Sequence, residues 1–115
     1  MSMEQAFDIV ERSREGVLVL AVSGDIDVAT APALRDRLQA CVSGGQSRIV
    51  VDLLRVSFLD STALGVLIGA LKRCREAGGD LLLVIGEQRI LKVFEITGLT
   101  GVFTISPSID EAISA

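Results

Sequence analysis

Residues Arg48–Ala77 read RIVVDLLRVSFLDSTALGVLIGALKRCREA. Arg48–Leu53, apolar at Ile49, Val50, Val51 and Leu53, reads as a strand, and Leu54–Leu59 leads from it into the polar corner Asp60-Ser61-Thr62. Beyond that corner Leu64, Leu67, Ile68, Leu71 and Cys74 or Arg75 recur at helical spacing, which predicts a long helix ending near Ala77. Gly78-Gly79 stops it, and a second apolar run, Leu81–Ile85 (LLLVI), follows at once. Strand, helix and strand in that order form a β-α-β unit with a right-handed crossover.

The same alternation extends in both directions. Upstream, a weak strand signal spans about Ala6–Glu11, a turn falls at Arg14–Gly16, and Val17–Val22 (VLVLAV) reads as a buried strand. Gly24-Asp25-Ile26-Asp27 then leaves that strand. Thr30 is placed to cap a helix over Ala31–Val42, with Ala33, Leu34, Leu38 and Cys41 or Val42 on one face and Gly44-Gly45 at its end. Downstream come a helix from about Gln88 to Thr97, a short strand at Val102–Ile105 and a helix at Ser108–Ser114. Pro32 and Pro107, the two prolines, stand where helices begin. The prediction is a single α/β domain over residues 1–115, with a mixed, mostly parallel sheet of about five strands and about four helices. Strands buried on both faces also account for a mean hydropathy of +0.54.

Composition narrows the chemistry. The 115 residues contain no histidine, which removes Ser-His-Asp and Cys-His catalysis and histidine zinc motifs. They contain no Trp or Tyr to stack on bases or sugars. Fifteen acidic against eleven basic residues give a net charge of −4, with no positive stripe for a nucleic-acid backbone. The longest apolar or glycine stretch, Ala63–Leu71, is about half of a bilayer span, and Met1–Glu15 has no signal-peptide core. A cytoplasmic, non-enzymatic domain with no membrane and no nucleic-acid partner is expected. Cys41 and Cys74 fall in helical segments and read as small buried hydrophobes, with a redox pair as the alternative.

No GxGxxG opens a helix and no GxxxxGK[ST] is present. Lys72, Arg73 and Arg75 read as a solvated helix end, where the helix dipole favours cations. Two corners remain, Gly24–Asp27 and Leu59–Thr62, each after a strand and before a helix, where ligands and partners of parallel sheets bind. On spacing alone the favoured reading is that Asp25, Asp27 and Asp60 are turn and first-turn acids and that Ser61 is an N-cap.

Across nearly its full length the chain resembles the STAS domains, and among them the bacterial anti-sigma factor antagonists. The resemblance is carried by Gly24-Asp25-Ile26-Asp27 with Thr30-Ala31, by Val50-Val51-Asp52-Leu53, by Val56–Thr62 (VSFLDST) and by Leu64-Gly65. In the tail it continues through Val93-Phe94, Thr97-Gly98-Leu99, Val102-Phe103 and Asp110-Glu111-Ala112. It implies a protein that is the substrate of a kinase. The serine after the aspartate, here Ser61, is phosphorylated by an ATP-dependent serine kinase that is also the anti-sigma factor. The unphosphorylated form binds that partner and frees the sigma factor; the phosphorylated form lets go, and a PP2C-type phosphatase resets it. ATP and magnesium belong to the kinase, so no cofactor or metal is expected on this chain. Asp25, Asp27, Asp60, Thr62, Leu64 and Gly65 are the expected partner-binding residues.

The family usually has glycine two residues after the phosphorylated serine, and this chain has Ala63. Alanine stiffens a helix start by about 1 kcal/mol over glycine, and its methyl is expected to crowd the hydroxyl. That departure favours an alternative, a STAS adaptor of a transporter or stress-signalling assembly that is not phosphorylated. A receiver domain phosphorylated on aspartate is a third reading, but Val102–Ile105 lacks the lysine it needs.

Overall fold

A computed structural model describes residues 6–114. The strands are β1 (Asp8–Arg14), β2 (Val17–Ile26), β3 (Arg48–Leu59), β4 (Asp80–Val84) and β5 (Thr104–Ser106). The helices are α1 (Ala31–Ser43), α2 (Ser61–Glu76), α3 (Gln88–Ile96) and α4 (Ile109–Ser114), with a single 3-10 turn at Leu99–Gly101. The sheet runs β1-β2-β3-β4-β5 in space; β1 is antiparallel to β2, and every later pair is parallel. The expected mixed sheet and its four helices are all present.

The core explains the layering. Leu18, Leu20, Val22 and Ile26 of β2 and Ile49, Val51 and Leu53 of β3 alternate onto one face. There they meet Leu34 and Leu38 of α1, Leu67 and Leu71 of α2, and Ile90 and Phe94 of α3. Phe94 packs edge to face on Phe103, with centroids 5.8 Å apart, which anchors α3 to the approach to β5. The opposite face is covered only in part. Val17, Val19, Val50, Leu82 and Val84 pack under Ala112 of the six-residue α4, while Val10, Leu54 and Phe58 are exposed. The expectation of a sheet covered on both faces therefore holds for half of this side.

Several boundaries differ from the sequence reading. β1 starts at Asp8 and runs through Arg14, so the turn is Glu15-Gly16, both with positive φ. β2 continues through Ile26, so Gly24 and Asp25 are strand residues. Gly24 has φ +87, and a Cβ there would lie 2.8 Å from the Phe7 nitrogen, so only glycine fits this crossing. β3 is one strand through Leu59, because two bulges opposite Ala21–Ser23 and Gly24–Asp25 let it bend without breaking. β4 begins at Asp80, and the last strand starts at Thr104 because Leu99–Gly101 coils first. Ala33 is exposed, and Ala31 takes the buried place on α1. Pro32 lies in the first turn of α1, whereas Pro107 precedes α4.

Candidate functional site

Parallel pairing brings the two corners together. Ile26 is in register with Leu59, and the Asp60 N–H donates to the Ile26 carbonyl at 3.2 Å. The ends of β2 and β3 are thus tied at the residue before Ser61. Asp60, half-buried and extended, is the N-cap of α2: its carboxylate accepts the Ala63 N–H at 3.1 Å. Ser61 is therefore the first helical residue, not the cap, and its side chain is left exposed. The N–H groups of Ser61 and Thr62 have no partner among the described residues, as befits the first turn of a helix. No acidic side chain lies within that turn.

Periodicity sorts the rest of the α2 start. Ser61, Thr62 and Gly65 are exposed, whereas Ala63 is fully buried and Leu64 is 7% exposed. Leu64 belongs to the core, so its expected partner-facing role is corrected: it supports the helix from beneath. The expectation for Ala63 is corrected as well, since its methyl points into the core and does not crowd the exposed hydroxyl.

The other corner is built by Asp27 and Thr30. The Asp27 carboxylate accepts the N–H groups of Ala29 at 2.9 Å and Thr30 at 3.1 Å, which closes a tight turn. The Thr30 hydroxyl donates to the Asp25 carbonyl at 2.7 Å and accepts the Asp27 N–H at 2.9 Å. Thr30 precedes α1 but makes no side-chain cap, because its hydroxyl is committed to this turn. Asp25 alternates to the sheet face opposite α2, in register with Phe58, and is half-buried. Asp27, Asp60, Ser61 and Thr62 thus gather at one sheet end, with Asp25 behind it and Leu64 below it.

Three residues at this end carry no charge-motif signal. Val28 (71% exposed) projects from the Asp27 turn, and Phe58 (51%) stands three residues before Ser61. Arg89, at the start of α3, donates to the Ser57 carbonyl at 3.2 Å and pairs with Glu87 at 3.0 Å. The run VSFL looks like core in sequence, yet Val56 and Leu59 are buried while Phe58 faces away from the main core. Of the basic cluster on α2, Lys72 is solvated, Arg75 pairs with Asp80 at 3.2 Å, and Arg73 is half-buried. Among the described residues no group of three His, Cys, Asp or Glu is placed to hold a metal, and no helix is long and apolar enough to cross a membrane. Cys41 and Cys74 are buried free thiols, each with its pKa raised chiefly by burial.

The STAS domain family model matches residues 8–112. The anti-sigma-B factor antagonist of Bacillus subtilis is 36% identical over 95 residues, covering 83% of this chain and 86% of that protein. An anti-sigma factor antagonist from Mycobacterium paratuberculosis superposes with a TM-score of 0.87 at 30% identity, over 95% of this chain and 92% of that one. SpoIIAA, the Bacillus cell fate determinant, solved in its phosphorylated form, has the same fold with a TM-score of 0.71 at 24% identity, over 95% and 97% of the two chains.

Proposed function

Because this chain belongs to the STAS domain family, we propose that it is an anti-sigma factor antagonist whose binding is switched off by phosphorylation of Ser61. Its residues 1–115 act as one domain, in the cytoplasm, as the substrate of a kinase and not as a catalyst. The unphosphorylated surface of Asp27, Asp60, Thr62 and Gly65, flanked by Asp25, engages an anti-sigma factor that is also an ATP-dependent serine kinase. A PP2C-type phosphatase restores the binding form.

The carrying observation is the exposed hydroxyl of Ser61 at the first position of a 16-residue helix, directly after its N-cap. A phosphate there adds about −1.5 to −2 charge next to two free N–H groups and the positive end of the helix dipole. The fold accommodates that charge without unfolding. A partner seated on the same surface meets a dianion beside the Asp60 carboxylate, and repulsion with desolvation opposes binding. A loss of ~3 kcal/mol weakens the complex roughly a hundredfold. Likeness to antagonists over most of both chains supports this reading over the unphosphorylated adaptor, and the burial of Ala63 removes the feature that favoured the adaptor.

The test is mass spectrometry of the chain recovered from its native host. Trypsin releases Val56–Lys72, which carries Ser57, Ser61 and Thr62. One phosphate localised to Ser61 and removed by phosphatase is the expected result. A peptide free of phosphate under every growth condition would return the adaptor.

A further inference from the structure

We propose that two copies of this chain pair through β1, antiparallel about a twofold axis at Val10, so that Asp8 of each copy faces Arg12 of the other. β1 is an edge strand, bonded to β2 on one side only, and it presents a row of free backbone groups on the other. Asp8, Val10 and Arg12 share the sheet face that α4 leaves open, since their β2 partners Ser23, Ala21 and Val19 alternate away from the main core. All three are exposed, and Val10 is 51% exposed. Neither Asp8 nor Arg12 has an ion-pair partner among the described residues, whereas Glu11 is held by Arg37 at 3.0 Å and Arg14 by Asp110 at 2.7 Å.

Symmetry selects the register. An antiparallel pair of identical edges has its twofold axis perpendicular to the sheet, so side chains directly opposite lie on the same face. The axis must then pass midway between the two copies of one residue. With Val10 on the axis, Asp8 faces Arg12 twice and the two exposed valines cover one another. With Glu11 at the axis, Asp8 faces Arg14, which Asp110 already holds, two glutamates oppose each other and Arg12 faces Val10. With Ile9 on the axis, Asp8 faces Val10 and Arg12 faces Ala6, and no charge is matched. Only the first register pairs every free charge of the strand. The edge charges, which blunt indiscriminate strand addition, are thus complementary to one partner, a second copy of the chain. The paired edge lies across the sheet from the β4 and β5 side and leaves Ser61 exposed in both copies.

Sedimentation equilibrium of the full chain, from micromolar to near-millimolar concentration, tests this independently of Ser61. The wild type is expected to dimerise reversibly. Arg12→Asp and Asp8→Arg each set two like-charge pairs across the axis and weaken the dimer at least about tenfold. The double variant Asp8→Arg/Arg12→Asp restores it. Both substitutions fall at exposed positions, and thermal melts verify that each of the three variants folds. A wild type that stays monomeric, a dimer indifferent to either single reversal, or a double variant that fails to recover overturns the proposal.

Discussion

The carboxylate of Asp60 accepts the backbone N–H of Ala63 at 3.1 Å, so the residue before Ser61 is bound to the residue two places after it. Ser61 is held in the middle of a closed cap while its own side chain makes none of the bonds that close it. The switch residue is therefore free to change its chemistry without loosening the helix. Replacing Asp60 by Ala is expected to cost about 1 kcal/mol, while Asp60→Asn keeps most of the cap and Ser61→Ala is close to neutral. Urea unfolding of the three variants checks the order. Equal losses at Asp60 and Ser61 would place the cap on the wrong side chain.

Ala63 makes a second test. Its methyl is fully buried among core residues while Ser61 lies in solvent. Ala63→Gly, which restores the residue usual in the family, removes a buried methyl and adds backbone freedom near the helix start. A destabilisation of about 1–2 kcal/mol is expected. The rate of phosphate incorporation at Ser61 by a cognate kinase should stay within about twofold, because the methyl does not border the hydroxyl. A large rate increase in the glycine variant would show that alanine restrains the site.

Blocking the hydroxyl separates binding from switching. Ser61→Ala should hold the anti-sigma factor as the wild type does, and keep holding it after ATP is added. Ser61→Asp, with a smaller charge than phosphate, should weaken the complex by about tenfold or more. Titration calorimetry with and without ATP distinguishes them. Identical ATP-driven release of Ser61→Ala and wild type would remove Ser61 from the switch.

Much of this architecture is legible in the chain because the signals agree. VLVLAV, RIVVDL and LLLVI are buried strands, and glycine pairs follow α1 and α2 where the helices stop. What is not legible is the phase along β3. Strict alternation after Leu53 would bury Arg55 and Ser57, but Val56 is buried instead: the first bulge shifts the phase by one residue and the second restores it at Leu59. At the first bulge the buried Asp52 carboxylate accepts the Leu54 N–H at 2.9 Å, a role that no local sequence pattern announces. Phe58, back in the phase of Leu54, lies exposed. Leu64 differs for another reason: as a motif residue it reads as surface, although at helical spacing it continues the core face through Leu67 and Leu71. Sequence leaves the cap open between Asp60 and Ser61, because serine and aspartate are nearly equal N-caps, and only backbone geometry chooses Asp60.

Asp27 serves structure before it serves any partner. Its carboxylate closes the turn through the Ala29 and Thr30 N–H groups. Asp27→Asn keeps an acceptor oxygen in place and removes the charge, whereas Asp27→Ala loses the turn bonds and costs about 1–2 kcal/mol. An anti-sigma factor that reads the charge should bind Asp27→Asn several-fold more weakly at unchanged stability. Unaltered affinity of Asp27→Asn would assign Asp27 to the turn alone.

The two thiols give the chain an alkaline limit. Burial, reinforced by Glu11 at Cys41 and by Asp80 at Cys74, raises both pKa values in the folded state. Below the ordinary thiol pKa both states keep the protons, and stability does not depend on them. As the pH rises past about 9 the unfolded chain releases protons that the folded chain retains, so stability falls until the buried thiols ionise in turn. The slope is at most about 1.4 kcal/mol per pH unit for each thiol. The chain has no tyrosine to ionise in this range. Urea midpoints measured from neutral pH to about 10 should decline in the wild type. In Cys41→Ala/Cys74→Ala they should start lower, because two buried side chains are truncated, and stay nearly flat. A wild type and double variant with the same alkaline decline would assign the loss to other groups.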